Sequence, residues 1–307
     1  MCDLIHPITF SIPRVKVLNN IPEKKKVLSS IIPGKMETYI WNEVDYYNEY
    51  RSSLFAVTTL KGGWDCMRHY EIIANGCLPY FPNIENCPKN TMFLLPKDLI
   101  LESNTLFNKY VGSKAFEPEY DNSDLSNIPL DLVYDLINRF FNYMNEYLLT
   151  EKVAEYMLKK SLVTPRNILF LSSITDWRSD YLKDLTLHGL KMLLGSKCHE
   201  YPRLEYLYTN SMRPEGTLWG RGVTFGKLLD PSLHDSELTN TIEKDITDKK
   251  YDIVIFGSYH RGMPYYDLVK EHYSPEKIIL LCGEDLHTCD YEKYTGLGNH
   301  VFVRELN

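Results

Sequence analysis

The sequence predicts an α/β protein with two domains, each built on a parallel sheet covered by helices. Short apolar runs rich in β-branched residues alternate with amphipathic stretches of helical period, and Gly or Pro separates them. Apolar runs of this kind are typical of parallel strands that helices bury on both faces. The 307 residues exceed what one hydrophobic core usually supports. We therefore expect one domain over residues 1–162 and a second over residues 163–307.

The first half contains a strand, helix, strand pattern. We expect strands over residues 26–32, 54–60 and 78–81, and helices over residues 39–50, 65–75, 129–149 and 151–160. Asp65 is suited to cap the second of these helices and Gly76 to end it, while Thr150 is suited to cap the last. Strand, glycine turn, helix and strand together indicate a βαβ unit.

The second half repeats the pattern. Near-continuous apolar strands are expected over residues 167–171, 251–256, 277–281 and 300–304, with helices over residues 181–194 and 265–272. Gly195 is suited to stop the first of these helices. The second half is therefore expected to be another α/β unit.

Composition excludes several classes of function. With 44% hydrophobic and 24% charged residues, the chain is typical of a globular protein. A net charge of -7 argues against a surface that grips nucleic acid. No basic leader followed by an apolar segment starts the chain, and no apolar window reaches membrane-spanning length. We therefore expect a cytoplasmic protein with no transmembrane segment and no nucleic-acid partner.

The cysteines show neither a CxxC pair nor a zinc-like spacing to histidine. We therefore expect reduced thiols and no metal site. The seven cysteines are Cys2, Cys66, Cys77, Cys87, Cys198, Cys282 and Cys289.

The segment from Lys61 to Pro79 carries the most chemistry. Two glycines precede a predicted helix, so its N-H groups and the positive end of its dipole can face an anion such as a diphosphate. Arg68 and Lys61 can add charge-assisted contacts, and Glu71 is suited to accept hydrogen bonds from a ribose diol. The alternative is an ordinary ion pair between Arg68 and Glu71 on a solvated helix face. Spacing alone supports an anion site and no more.

The same segment resembles a known family. Residues 53–59 and 63–65, Arg68-His-Tyr-Glu71, Ala74-Asn-Gly76 and Pro79 resemble the donor-domain signature of GT-B glycosyltransferases, most closely the CgeB-type and exostosin-like groups. The resemblance implies two Rossmann-like domains facing across a cleft. It also implies that a nucleotide-sugar donor, most often a UDP- or GDP-sugar, is bound by Lys61, Gly62, Gly63, Trp64, Arg68 and Glu71.

The second half resembles the acceptor domain of the same group. The resemblance lies in Asp176-Trp-Arg-Ser-Asp180, residues 189–195, Tyr201-Pro-Arg203, and residues 256–261. The donor-like domain comes first here, so the domain order is permuted relative to the family. We therefore expect the two chain termini to lie close together, and we expect a glycan or small hydroxyl compound as acceptor.

The proton acceptor for sugar transfer is expected on loops after the strands of the second half, because ligands bind outside the carboxyl ends of parallel strands. Candidates for catalysis are Asp176, Asp180 and His260; Asp176 and Asp180 are equally suited to cap a helix, and His260 to lie on a solvated surface. Acceptor contacts are expected from Arg178, Arg261, Glu284 and Asp285, although the last two are also suited to cap the next helix.

No cofactor and no metal are expected, because the chain lacks the DxD triplet with which GT-A enzymes hold a divalent ion. Trp64 and Trp177 offer flat faces for stacking on a base or sugar, although buried packing is the more common role of such residues. Two alternatives remain open. A nucleotide-sugar epimerase or an oxidoreductase would use the same α/β parts, although no Gly-rich dinucleotide fingerprint is present. A non-catalytic nucleotide- or sugar-binding protein would keep the fold without turnover.

Overall fold

A computed structural model describes residues 4–173, 179–214, 217–285 and 289–307. The strands of this part of the chain form two sheets, one of three strands and one of six, and every pairing within them is parallel. The predicted α/β class with parallel sheets is therefore confirmed. The finer arrangement, two domains that face each other across a cleft, stays a prediction.

The smaller sheet has the order β2-β3-β4 and holds the predicted βαβ unit. Its strands are β2 (Lys26–Leu28), β3 (Ser53–Val57) and β4 (Leu78–Tyr80), with α1 (Glu43–Ser52) and α2 (Met67–Ala74) between them. β2 ends earlier than expected. The Ser30 amide donates to the Glu49 carboxylate at 2.6 Å, so the chain turns away before Ile32.

Capping explains where the two helices of this unit begin. Asn42 accepts a hydrogen bond from the Asp45 amide and caps α1, which starts later than the predicted residue 39. The expectation that Asp65 caps α2 was wrong: Cys66 holds the cap position without a side-chain hydrogen bond. Asp65 instead accepts from the Phe10 amide at 2.8 Å and the Tyr70 hydroxyl at 2.9 Å. Gly76, with φ of +66°, ends the helix as predicted.

Three longer helices complete the first half: α3 (Lys97–Tyr110), α4 (Leu130–Tyr143) and α5 (Thr150–Lys160). The predicted apolar stripe of α4 is buried at Val133, Ile137 and Phe140. α4 continues as a π-helical turn over Met144–Leu148. Thr150 does not cap α5, because Leu149 holds the cap position and the Thr150 hydroxyl contacts His188 Nδ1 at 2.9 Å.

The larger sheet has the order β1-β9-β8-β7-β5-β6. Its strands are β1 (Ile5–Pro7), β5 (Ile168–Leu171), β6 (Cys198–Tyr201), β7 (Ile253–Phe256), β8 (Ile278–Cys282) and β9 (His300–Val303). Its helices are α6 (Tyr181–Leu194), α7 (Leu238–Thr247), α8 (Tyr266–His272) and α9 (Tyr291–Gly296). The four strands and two helices predicted for this half are present, and β6, α7 and α9 add to them.

The two ends of the chain meet in the larger sheet. β1 pairs in parallel with β9, with Ile5 opposite Val301, and the Ile8 amide donates to the Val303 carbonyl at 3.1 Å. The prediction that the termini lie close together is confirmed. β1 therefore belongs to the sheet of the second half, although it lies in the segment expected to form the first domain.

One apolar core runs through both halves. It contains Phe55 from β3, Phe170 from β5 and Phe302 from β9, all inaccessible to solvent. α5 and α6 approach so closely that a Cβ on Gly189 would lie 2.1 Å from the Thr150 carbonyl oxygen. In the described ranges, no helix combines the length and the apolar character needed to cross a membrane.

Candidate functional site

A cavity of about 650 Å³ lies between the smaller sheet and the larger one. Its walls come from residues that follow the carboxyl ends of strands in both sheets: Ile31 after β2, residues 61–63 and 65–68 after β3, Tyr181 after β5 and Asp285 after β8. Ligands of open α/β sheets bind at this end of the strands. The volume lies within the range of small-molecule sites.

The structure brings most of the predicted donor-binding residues to this cavity. Lys61, Gly62, Gly63, Arg68 and Glu71 line it, and so does Asp285, which was predicted to contact the acceptor. Trp64 does not line it; its ring packs against Phe81, with centroids 6.0 Å apart.

Arg68 is the central cation of the cavity. Its Nε and Nη1 atoms are buried, and neither has a hydrogen-bond partner in the ranges that the structure describes. The guanidinium lies 5.7 Å from the centroid of the Tyr39 ring. Burial works to lower the pKa of Arg68, but Cys66 and nearby tyrosines raise it by more, so the group stays charged. A buried cation with unsatisfied N-H groups is costly unless a ligand supplies acceptors.

Glu71 does not pair with Arg68 on a solvated face, so that alternative is wrong. Glu71 is buried, with only 6% of the residue exposed. Its two oxygens accept hydrogen bonds from the Tyr46 hydroxyl at 2.7 Å and the Thr224 hydroxyl at 2.5 Å. Burial raises its pKa, although these hydroxyls oppose the shift. The hydrogen bonds predicted to come from a ribose diol are thus supplied by the protein itself.

The loop of Gly62 and Gly63 is already occupied by a carboxylate. Glu305 accepts hydrogen bonds from the amides of Trp64 at 3.1 Å and Asp65 at 3.0 Å. A Cβ on Gly63 would lie 2.5 Å from Glu305 Oε1. The two glycines therefore serve the close approach of a side chain of the protein, and these amides are not available to a diphosphate.

Arg304 fixes this arrangement and was not predicted as a site residue. Its side chain is inaccessible to solvent. It donates to the carbonyls of Asp65 at 2.6 Å and Gly283 at 3.1 Å, and it pairs with Glu305 at 2.7 Å and with Asp285. The available sequence signal was an Arg-Glu pair at the end of the strand predicted over residues 300–304. Charged pairs near a chain end are usually solvated, so the sequence alone does not mark this pair as buried.

The remaining predicted catalytic and acceptor residues form a second cluster at the ends of β7 and β8. Asp180, His260, Arg261 and Glu284 belong to it, and none of them lines the cavity. Arg261 Nη2 lies 3.8 Å from Asp180 Oδ2 and 3.5 Å from Glu284 Oε1. Asp176, Trp177 and Arg178 lie outside the described residues.

Asp180 caps a helix, which is the structural alternative to a catalytic role. Its carboxylate accepts hydrogen bonds from the amides of Leu182 and Lys183 at the start of α6, and from the Ser258 hydroxyl at 2.5 Å. Burial works to raise the pKa of Asp180, but Lys183 and Arg261 outweigh it and the pKa is lowered. A carboxylate with a lowered pKa is a weaker base.

His260 is not on a solvated surface, because its side chain is only 11% exposed. Its Nε2 lies 2.6 Å from Glu284 Oε1, and burial lowers its pKa. Next to it, Cys282 and Cys289 are joined in a disulfide with Cα atoms 6.4 Å apart. The expectation of reduced thiols was therefore wrong for this pair, while Cys66, Cys77, Cys87 and Cys198 are free.

Comparison of the chain with protein-family models, with curated proteins and with solved structures gave no significant match. The likeness to GT-B glycosyltransferases therefore rests on the residues quoted for it.

Proposed function

We propose that this chain is a glycosyltransferase that moves a sugar from a nucleoside diphosphate sugar to a hydroxyl acceptor. The observation that carries the proposal is the half-buried guanidinium of Arg68 in the cavity, with two buried nitrogens that lack hydrogen-bond partners in the described part of the chain. A diphosphate has the charge and the acceptor oxygens that this group lacks. The resemblance of residues 53–79 to a donor-domain signature points to the same ligand.

Other groups of the cavity suit the rest of a nucleotide sugar. Lys61 and Arg221 also line it and add positive charge to that of Arg68. The rings of Tyr39, Trp41 and Tyr181 offer apolar faces for a base or a sugar. With Glu305 on the amides before α2, the diphosphate is expected against Arg68 and Lys61 rather than against the two glycines.

Asp285 is the proposed proton acceptor. It lines the cavity, whereas Asp180 and His260 do not, and its side chain is 57% exposed and reachable by an acceptor. As the acceptor oxygen bonds to the anomeric carbon, the bond from that carbon to the diphosphate breaks and the hydroxyl proton passes to Asp285. Arg68 and Lys61 stabilise the charge that develops on the leaving diphosphate.

A second cavity gives the acceptor a place next to the donor. It has about 660 Å³ and shares Trp41, Leu218, Arg221 and Val223 with the first. Lys16, Glu43, Arg213 and Lys227 also line it, and Lys16 pairs with Glu43 at 2.7 Å.

The proposal is tested by measuring nucleoside diphosphate release from a panel of UDP-, GDP- and TDP-sugars, with and without hydroxyl acceptors. We expect release from at least one donor, and at least a tenfold loss of turnover in Arg68→Met and Asp285→Asn. Arg139→Met and Asp267→Asn, which remove exposed charges away from the cavity, serve as matched controls. Nucleotide binding without release from any donor would favour the non-catalytic alternative, and interconversion of sugar epimers would favour the epimerase.

A further inference from the structure

Three side chains with metal-binding atoms meet beside the cavity but outside it. They are His260, directly after β7, Cys282 at the end of β8, and Cys289 shortly before α9. One ligand atom from each lies within 4.8 Å of the others. Both cysteines are buried, at 1% and 9% exposure. Their distance from His260 in the sequence explains why no ligand spacing was visible there.

The imidazole supplies a second, independent observation. His260 Nδ1 and Nε2 are both buried, and neither makes a hydrogen bond of good geometry within the described ranges, although Nε2 lies 2.6 Å from the Glu284 carboxylate. A histidine that ligates a metal commonly offers one nitrogen to the metal and the other to a carboxylate, which fixes the ring. Glu284 and His260 stand in that relation to each other.

We propose that, in the reduced protein, Cys282, Cys289 and His260 Nδ1 bind one Zn²⁺ ion. Two thiols of a reductant convert the disulfide to two cysteine thiols and are themselves oxidised to a disulfide. Each cysteine thiol then releases its proton to solvent as its sulfur bonds to the metal. Two thiolates and an imidazole are ligands that zinc prefers, and magnesium and calcium do not. Zinc bonds of about 2.3 Å to sulfur and about 2.0 Å to nitrogen place tetrahedral ligand atoms roughly 3.5 to 3.8 Å apart, within reach of this cluster.

The metal would hold the chain segment that reaches the cavity. Cys282 and Cys289 flank Glu284 and Asp285, and Asp285 lines the cavity. Bound zinc is therefore expected to act on structure, at a site distinct from the chemistry proposed above. The zinc proposal does not depend on sugar transfer, and its test uses no nucleotide.

The test measures zinc in the full chain, purified with a thiol reductant, loaded with zinc chloride and desalted. We expect about one zinc per chain by elemental analysis. Cobalt loaded in place of zinc should give the intense near-ultraviolet absorption of cobalt-thiolate bonds. Cys282→Ser, Cys289→Ser and His260→Gln should each weaken zinc affinity at least tenfold, and Glu284→Gln by a smaller factor. Cys66→Ser and Cys198→Ser, which change free cysteines, should keep full zinc content.

Circular dichroism of every variant establishes that it is folded, and the wild-type result stands without any variant. The proposal is overturned by a reduced wild-type chain that holds no zinc after desalting, or by a Cys282–Cys289 disulfide that persists in excess reductant. Zinc content that is unchanged in both Cys282→Ser and Cys289→Ser would overturn it as well.

Discussion

The buried guanidinium of Arg304 donates a hydrogen bond of 2.6 Å to the main-chain carbonyl of Asp65, across 239 positions of sequence. This bond joins the last strand of the larger sheet to the loop before α2 in the smaller one. The other contacts of Arg304 hold Asp285 and Glu305 beside the two glycines. The wall of the cavity therefore depends on a residue close to the C-terminus.

Replacing Arg304 by methionine should destabilise the fold by about 3 to 5 kcal/mol, because it leaves the buried carboxylate of Glu305 without its cation. Urea unfolding followed by circular dichroism measures the change. Arg139→Met is the matched control, since Arg139 makes a bidentate pair with Glu102 on the surface and should cost less than about 1 kcal/mol. Equal losses of stability in the two variants would show that the contacts of Arg304 do not hold the two sheets together.

Gly63→Ala should lower stability by roughly 2 kcal/mol or more, because the new methyl group would overlap the Glu305 carboxylate that two amides and Arg304 hold in place. Gly62→Ala should be milder, since the side chain that it meets, Asp285, is half exposed and is held by Arg304, whereas Glu305 is held by Arg304 and two amides. Gly296→Ala, with no atom within 4 Å of its new methyl group, is the control for thermal unfolding. A Gly63→Ala chain as stable as Gly296→Ala would contradict this packing.

Asp180→Ala should cost about 1 to 2 kcal/mol of stability through loss of the α6 cap. Because Asp180 does not line the cavity, turnover per folded molecule should stay within a few-fold of wild type. Steady-state kinetics below the unfolding temperature, corrected for folded fraction, separate the two effects. Loss of turnover comparable to that of Asp285→Asn would return Asp180 to catalysis.

The pH dependence of stability should carry the signature of His188. Burial lowers its pKa from 6.5 to about 4, so the unfolded chain binds a proton more readily than the folded one. The stability that the buried neutral imidazole of His188 contributes is therefore fully present above pH 6.5 and is lost as the pH falls. Between pH 7 and pH 5 the loss is about 2 kcal/mol for one such group. Urea unfolding at both pH values should show a smaller acid loss in His188→Gln than in wild type; parallel curves would contradict the buried neutral imidazole.

Much of the fold follows from local pattern. α6 begins and ends where the apolar period and Gly195 predict. Asp180 caps its start and Gly195 ends it, so local residues decide both limits. The sequence pattern did not predict β6, whose buried residues include the charged Glu200, or α9, which is six residues long. The closeness of the two termini was predicted from the resemblance, whereas the pairing of β1 with β9 that brings them together was not predicted.

The candidate site was predictable where it depends on one helix and not where it depends on contacts between distant segments. Arg68 lies on α2 as expected. The hydroxyls that donate to Glu71 belong to Tyr46 and Thr224, and the carboxylate that contacts the glycine loop belongs to Glu305. A sequence pattern cannot show which buried group already has a partner.

The most direct test of the account is the affinity of the chain for free UDP and GDP, measured by isothermal titration calorimetry in wild type and in Arg68→Met. We expect one nucleotide to bind the wild type and its affinity to fall at least tenfold in the variant, consistent with a lost charge-assisted contact of about 1.5 to 3 kcal/mol. The same affinity in both proteins, or no binding to the wild type, would contradict the assignment of the Arg68 cavity to a nucleoside diphosphate.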